Sequence, residues 1–358
     1  MTNYQHCTLF DVCSIRYGKD HKKLADGNVP VYGSGGVMRY ANKHLSTKPS
    51  VLIPRKGTLG NLFYVDEPFW TVDTLFWTDI DESKIVPSFL FYLLKTKDLA
   101  SLNVGTAVPS LTTDVLNALQ LDLPSLEVQH RVCSLLEKID AAITLNAQIN
   151  DYLAEIGEAL VANLEANTAL GDVCGFVGNK RNIDSIQIDE YVSTESLLQN
   201  RRGRQRASSI PESGKVTSFE IGDVLISNIR PYFQKIWRAS FHGGCSNDVL
   251  VFRSNDTSYA SCLYFVLRRS EFFDFVMRGA KGTKMPRGDK KRMLGYLVPG
   301  SIDGNSAMLL NYIVEQMSFN SIESERLVEL KDALLPKLMS GEIDVSQVDL
   351  TPLNNHLA

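Results

Sequence analysis

Residues 127–164 read EVQHRVCSLLEKIDAAITLNAQINDYLAEIGEALVANL, and residues 301–338 read SIDGNSAMLLNYIVEQMSFNSIESERLVELKDALLPKL. In the first stretch Leu135, Ile139, Ala142, Asn146, Ile149, Leu153, Ile156 and Leu160 stand alternately four and three apart, the spacing of an apolar seam between paired helices. A constant offset of 174 carries this stretch onto the second without a gap, taking Leu135 to Leu309, Ile139 to Ile313, Asn146 to Asn320, Leu153 to Leu327 and Leu160 to Leu334. Runs of about 38 residues without a turn cluster are too long for most globular helices. Two long helices are therefore predicted, the second less regular, with Gln316 and Glu323 on its seam and Pro336 near its end.

Working outward, the segments before the helices repeat as well, always in the same order. Leu9-Phe10-Asp11-Val12-Cys13 returns as Leu170-Gly171-Asp172-Val173-Cys174, and Val51-Leu52-Ile53 as Val224-Leu225-Ile226. Gly105-Thr106-Ala107-Val108-Pro109 returns as Gly282-Thr283-Lys284-Met285-Pro286. Both segments carry short β-rich runs, Val51 to Pro54, Leu62 to Val65, Val224 to Ser227 and Asp248 to Arg253, broken by Gly, Pro, Ser and Asn clusters. Each has one helical patch, Pro87 to Lys97 and Tyr259 to Met277. The fold class predicted is α+β: two mixed α/β domains separated by a long antiparallel two-helix coiled coil, with an internal pseudo-twofold repeat. The expected boundaries are 1–124 for the first domain, 125–166 for the first helix, 167–300 for the second domain, 301–345 for the second helix and 346–358 for a tail. Because the first helix leads into the second domain and that domain leads into the second helix, packed helices must run antiparallel with a domain at each end, a dumbbell.

A chain of 358 residues, 44% apolar, is long enough for two sizeable cores. No apolar run reaches the ~20 residues of a membrane span, and the start lacks the order of a signal peptide, so the cytoplasm is expected. The six cysteines form no CxxC pair and have no histidine cluster at zinc spacing, so no metal is expected and the thiols are read as reduced and mostly buried. Net charge is −4, but it is unevenly placed: 0 for residues 1–124, −5 for 125–169, +7 for 170–300 and −6 for 301–358. The acid sits in two short stretches and the base in one domain, so charge is read per domain and the basic one is compatible with a nucleic-acid partner.

The alternation of domain and long helix resembles the specificity subunits of type I restriction-modification systems over nearly the whole chain. The blocks that carry the resemblance are Pro30-Val31-Tyr32-Gly33-Ser34-Gly35-Gly36, Ile53-Pro54-Arg55-Lys56-Gly57-Thr58-Leu59-Gly60-Asn61 and Pro68-Phe69-Trp70-Thr71-Val72-Asp73. They continue through the junction from Leu121 to Val132 and the terminal Ala333-Leu334-Leu335-Pro336-Lys337-Leu338-Met339-Ser340-Gly341-Glu342-Ile343. The resemblance implies two target-recognition domains that each read half of a split, asymmetric site in double-stranded DNA. It also implies that the helices set the spacing and dock two methyltransferase subunits, with restriction (translocase and nuclease) subunits as further partners. The chain itself would hold no cofactor, since S-adenosylmethionine would bind the methyltransferase. In the second domain Asn228-Ile229-Arg230-Pro231 replaces the Arg-Lys-Gly-Thr block, so the two half-sites should differ.

Cations near phosphates supply affinity, and side chains at base edges supply specificity. In the second domain Arg201, Arg202, Arg204 and Arg206 form one basic run, and Lys281, Lys284, Arg287, Lys290, Lys291 and Arg292 a second. In the neutral first domain the candidates are Ser34 and Arg39 in the loop Gly33 to Arg39, and Arg55, Lys56, Thr58 and Asn61 in the loop Arg55 to Asn61. Arginine pairs with guanine and asparagine with adenine through two hydrogen bonds, which makes Arg55, Asn61, Asn228 and Arg230 candidate base readers. The bland alternative for each basic residue is a solvated face. Gly33-Ser34-Gly35-Gly36 lacks the GxGxxG pattern and a Walker lysine and reads as a turn.

Two rival classes are an enzyme, fused or nucleolytic, and a coiled-coil scaffold that binds only protein; a specificity module of another methyltransferase or restriction system is a nearer variant. Against the enzyme, the sequence lacks the Asn/Asp-Pro-Pro-Tyr/Phe block and FxGxG loop of an amino-methyltransferase, and no catalytic residue is expected. Glu82-Ser83-Lys84 and Glu329-Leu330-Lys331 spell Glu-x-Lys by chance. A pure scaffold would leave both basic clusters of the second domain without a partner.

Overall fold

The computed structural model describes residues 4–105 and 108–345; Thr106, Ala107 and the expected tail 346–358 lie outside the described residues. The chain divides into two compact units, Met1–Ile143 with Arg326–Ala358, and Thr144–Glu325. Each unit therefore takes one of the two repeated segments together with part of both long helices.

In the first unit an antiparallel sheet runs in the order Cys13–Tyr17, Leu75–Ile80, Ser50–Pro54, Phe63–Val65. All five residues of Ser50–Pro54 are buried, as expected of a short continuous apolar run in a central strand. A second sheet joins Gly36–Ala41, Val29–Gly33 and Trp70–Thr71, and Gln5–Thr8 pairs antiparallel with Gln120–Leu123. The helix Pro87–Lys95 packs on the first sheet, with proline at its first turn. The core gathers Leu9, Phe76, Phe89, Val132, Leu136, Ile139 and Leu338.

The second unit repeats this plan. Its first sheet has the order Cys174–Phe176, Val249–Ser254, Val224–Ser227, Ile236–Arg238, and Ala166–Ala169 pairs antiparallel with Leu297–Pro299. The other sheet is larger than its counterpart, four strands in the order Lys180–Asn182, Lys215–Phe219, Gly243–Cys245, Tyr191–Val192. The patch expected as one helix is two, Ala260–Arg268 and Ser270–Arg278. Arg269 breaks it with an extended backbone, ψ 144°, and its guanidinium bonds Glu271 in the next first turn at 2.7 Å. Phe252, Phe265, Phe272, Leu310 and Ile313 lie in the core.

The long helices span Leu126–Ala162 and Gly304–Ser340. The second starts where the Asp303 carboxylate accepts the amides of Asn305 and Ser306 at 3.1 and 3.0 Å, a side-chain cap. It stops at Gly341, φ +75°. In the second unit Asn146 donates to Glu323 at 2.8 Å, Asn320 to Asn150 at 2.9 Å, and Asn150 to the Met317 carbonyl at 3.1 Å. Partner numbers fall as the first helix's numbers rise, so the pairing there is antiparallel. In the first unit Asp140 receives both the Lys331 ammonium and the Tyr92 hydroxyl.

The seam differs from the expected one at some positions in each copy. Ile139, Asn146, Ile313 and Asn320 are buried and Leu153, Leu160, Leu327 and Leu334 half-buried, as the heptads predict. The intervening positions shift by one residue. Leu309 is 45% exposed and Leu310 fully buried; Ile149 and Ile156 are exposed, while Asn150 and Gly157 face inward. Leu135 remains buried alongside Leu136 in the first core. Gly157 explains the choice in the second unit, because a Cβ there would stand 2.2 Å from the Phe265 ring. Asn146 and Asn320, equivalent in the two copies, are both buried and bond Glu323 and Asn150 rather than each other.

Candidate nucleic-acid interface

The buried strand Val224–Ser227 runs out into a loop that the rest of the second unit grips through its backbone. Asn228 donates its amide to the Asp248 carbonyl and Arg230 to the Pro286 carbonyl, both at 2.8 Å. Pro286 closes a hairpin whose base is a reciprocal pair of backbone bonds between Lys281 and Arg287, both 2.9 Å. The structure thus brings Asn228, Arg230, Lys281, Lys284 and Arg287, distant in sequence, onto two joined loops. Lys284 and Met285 are exposed in the hairpin. Arg287 reaches the Asp248 carboxylate at 3.1 Å and Lys281 the Asp289 carboxylate at 3.3 Å. Asp289 also caps the short helix Lys290–Met293, and the Arg292 amide followed by the Lys281 side chain holds its carboxyl below the usual range. Lys290 sits over the Phe176 ring at 5.8 Å and Arg292 over Phe275 at 4.9 Å.

Between Arg230 and Gln234 a single 3₁₀ turn, Pro231–Phe233, raises Tyr232, which is 49% exposed and packs on Phe233. Asn228 is buried, with its side-chain oxygen unpartnered, and the Arg230 Nε is likewise buried without a partner.

The first unit builds the same junction. After Ser50–Pro54, Gly57 donates its amide to the Pro109 carbonyl at 3.1 Å and Leu111 donates to the Arg55 carbonyl at 2.9 Å. Asn61 ties this loop to the neighbouring turn by donating to the Ser34 carbonyl at 2.7 Å. Arg55 donates to the Asp73 carbonyl at 3.3 Å and lies over Tyr17 at 5.4 Å. Arg39 is held by Asp26 at 2.6 Å and by the Leu24 carbonyl. Lys56 and Thr58 are left exposed, as are Val37, Met38 and Tyr40 in the strand Gly36–Ala41.

The arginine run lies elsewhere than a free basic face. Arg201 pairs with Glu158 at 3.4 Å and Arg204 with Glu325 at 3.2 Å, and Arg206 pairs with Asp189. Arg204 is enclosed by the rings of Trp237 and Phe241, and burial lowers its pKa. Arg202 is exposed, and among the described residues no carboxylate pairs with it. Sequence reasoning missed these acidic partners and the exposed Tyr232; no signal in the sequence pairs Arg201 with a glutamate 43 residues away. Among the described residues no group of His, Cys, Asp or Glu is arranged to hold a metal ion. Burial pushes the thiols of Cys13, Cys133, Cys174 and Cys245 up to about 12, as for inert core residues.

Comparison with known proteins agrees with this geometry. Residues 1–155 match the family described as the type I restriction modification DNA specificity domain. This part of the chain is similar to that domain. The HindI type I restriction enzyme specificity subunit of Haemophilus influenzae is 32% identical over 111 residues, covering 28% of this chain and 24% of the relative. A second H. influenzae chain, named for the same kind of subunit, is 24% identical over 164 residues, covering 40% of this chain and 42% of the relative. The matches span less than half the length of these relatives. The crystal structure of a type I restriction-modification S subunit from M. genitalium has the same fold, with a TM-score of 0.56 and 15% identity over 94% of this chain and 96% of that one.

Proposed function

We propose that this chain is the non-catalytic DNA-specificity subunit of a type I restriction-modification complex, each unit reading one half of a split site. The observation that carries the reading is the duplicated junction. In both units a buried central strand delivers a loop, and the amide of Gly57 or Arg230 bonds the proline that ends a Gly-x-x-x-Pro segment. One scaffold therefore presents two different loop surfaces, one neutral and one basic, as two unlike half-sites require.

The helices are the docking surface for two methyltransferase subunits, which bring S-adenosylmethionine; translocase and nuclease subunits join the assembly through them. What supports this is apolar surface that the helix pairing leaves uncovered. Leu145, Ile149, Tyr152 and Ile156 form one exposed stripe at helical spacing, and Met308, Tyr312, Phe319 and Ile322 another. The helices also act as a ruler: 37 residues each, at ~1.5 Å per residue, span about 55 Å, or one and a half turns of DNA.

Methylome sequencing of a host carrying this chain with its methyltransferase tests both parts. The expected result is one bipartite, asymmetric motif. A matched four-residue insertion at the middle of both helices should lengthen its spacer by about two base pairs (~6 Å) while leaving both halves unchanged. Methyl transfer by the purified chain alone, or a contiguous motif, would refute the assignment.

A further inference from the structure

Among the described residues, every non-glycine residue with a left-handed backbone lies in one assembly of the second unit: Asn200, Arg201, Arg230 and Gln234, with φ of 57°, 62°, 51° and 50°. The assembly is bonded end to end. Asn200 donates its amide to the Phe233 carbonyl and Arg201 to the Gln234 carbonyl, both at 2.9 Å. Phe233 in turn donates to the Arg230 carbonyl at 2.9 Å, and Arg230 to Pro286 in the exposed hairpin.

At its other end the assembly is fixed to both long helices. The Arg201 guanidinium meets Glu158 and the Arg268 carbonyl, while Arg268, 7% exposed, pairs with the same Glu158 and returns a bond to the Arg201 carbonyl. Arg204, its side chain 10% exposed, meets Glu325. An L-residue in this conformation is unfavourable and persists only where its surroundings over-determine it. Here the over-determination comes from carboxylates of the helices.

We propose that the 200–206 loop is a positioning element for reading the second half-site: Arg201 and Arg204, anchored on Glu158 and Glu325, set the backbone that presents Arg230. The proposal rests on the functional reading above and changes the role of two arginines. They do not line the DNA backbone. That task in this run falls to Arg202. The assembly has no counterpart among the described residues of the first unit, where a glycine, Gly57, occupies the position of Arg230 and needs no enforcement.

The test selects bound sequences from a random duplex library with the full chain, scoring discrimination in each half-site separately, along with the salt dependence of binding to a nonspecific duplex. Glu158→Gln and Arg201→Gly should each reduce discrimination in the second half by about tenfold, the order carried by one misplaced base contact. First-half discrimination should stay within about twofold, and amide protection of the strand Val224–Ser227 should match that of the unaltered chain, which reports that the second unit is folded. Arg201→Lys, which keeps the charge beside Glu158, should recover part of the loss. The nonspecific salt slope should not change. Unchanged second-half discrimination in both variants would overturn the proposal, as would equal loss in both halves. So would a salt slope reduced by about one for Arg201→Gly, the mark of a lost phosphate contact. A wild-type chain that selects no sequence at all would instead overturn the functional reading, and the inference with it.

Discussion

Gly57 and Arg230 hold the same place in the two copies. Each follows a buried strand, each donates its amide to the proline of the facing segment, and each is left-handed, with φ +94° and +51°. The difference is one side chain. The first copy fills a demanding backbone position with the residue that suits it, and its flanking residues Lys56 and Thr58 are exposed in a neutral segment. The second copy accepts strain and gains a guanidinium at the rim of a +7 segment. On the proposed reading the strain is accounted for by what the guanidinium does.

The largest effects should show whether the copies are independent bodies. Phe76 and Phe252 are fully buried in the two cores, and Phe→Ala at either should cost about 3–5 kcal/mol. Hydrogen exchange should show lost protection mainly in the unit that carries the change; equal loss in both would end the comparison by making the chain one cooperative block. Next comes the seam. Gly157→Leu forces a side chain into the Phe265 ring and should destabilise the second unit by about 1–3 kcal/mol. Its exposed neighbour sharpens the contrast, since Ile156→Ala should leave the melting temperature nearly unchanged, within about 0.5 kcal/mol, yet weaken methyltransferase binding in a pull-down titration.

Exchanging the two junction residues tests the comparison directly. Arg230→Gly should raise stability by about 1 kcal/mol by releasing the left-handed strain, while second-half discrimination falls by about 1–3 kcal/mol. Gly57→Arg meets only the Ser34 hydroxyl, at 4.0 Å, but takes on the strain, so it should cost about 1–2 kcal/mol. If Arg230→Gly lowered stability, the arginine would be a structural clamp rather than a reader. The smallest effect is expected at Lys284 in the exposed hairpin. Lys284→Ala should lower the slope of log affinity against log salt by about one, with both half-sites read as before.

The duplication, the two long helices and the buried strands at Val51 and Val224 were legible because each leaves a periodic or repeated trace in the sequence. The rotation of the seam was not. Apolarity favours Ile149 and Ile156, whereas the fold selects Asn150, which bonds Asn320, and Gly157, which makes room for Phe265. Both choices depend on a partner more than 100 residues away. The joined loops of the interface were half legible: their residues could be nominated, but the bond from Arg230 to Pro286 that unites them could not. Charge density alone also misplaced Arg201 and Arg204, because a basic run carries no record of the carboxylates it will meet.

The strand pairs that close each recognition segment, Gln5–Thr8 with Gln120–Leu123 and Ala166–Ala169 with Leu297–Pro299, set the first and last residues of each segment side by side. On the function proposed above, everything that reads DNA in such a cassette lies between two neighbouring ends, so its interior can be exchanged without altering the path of the chain outside it. Recombination at these strand ends would create a new recognition sequence in a single event, leaving the helices and whatever docks on them untouched. The copies can therefore diverge as far as Gly57 and Arg230 have, each free of the history of the other.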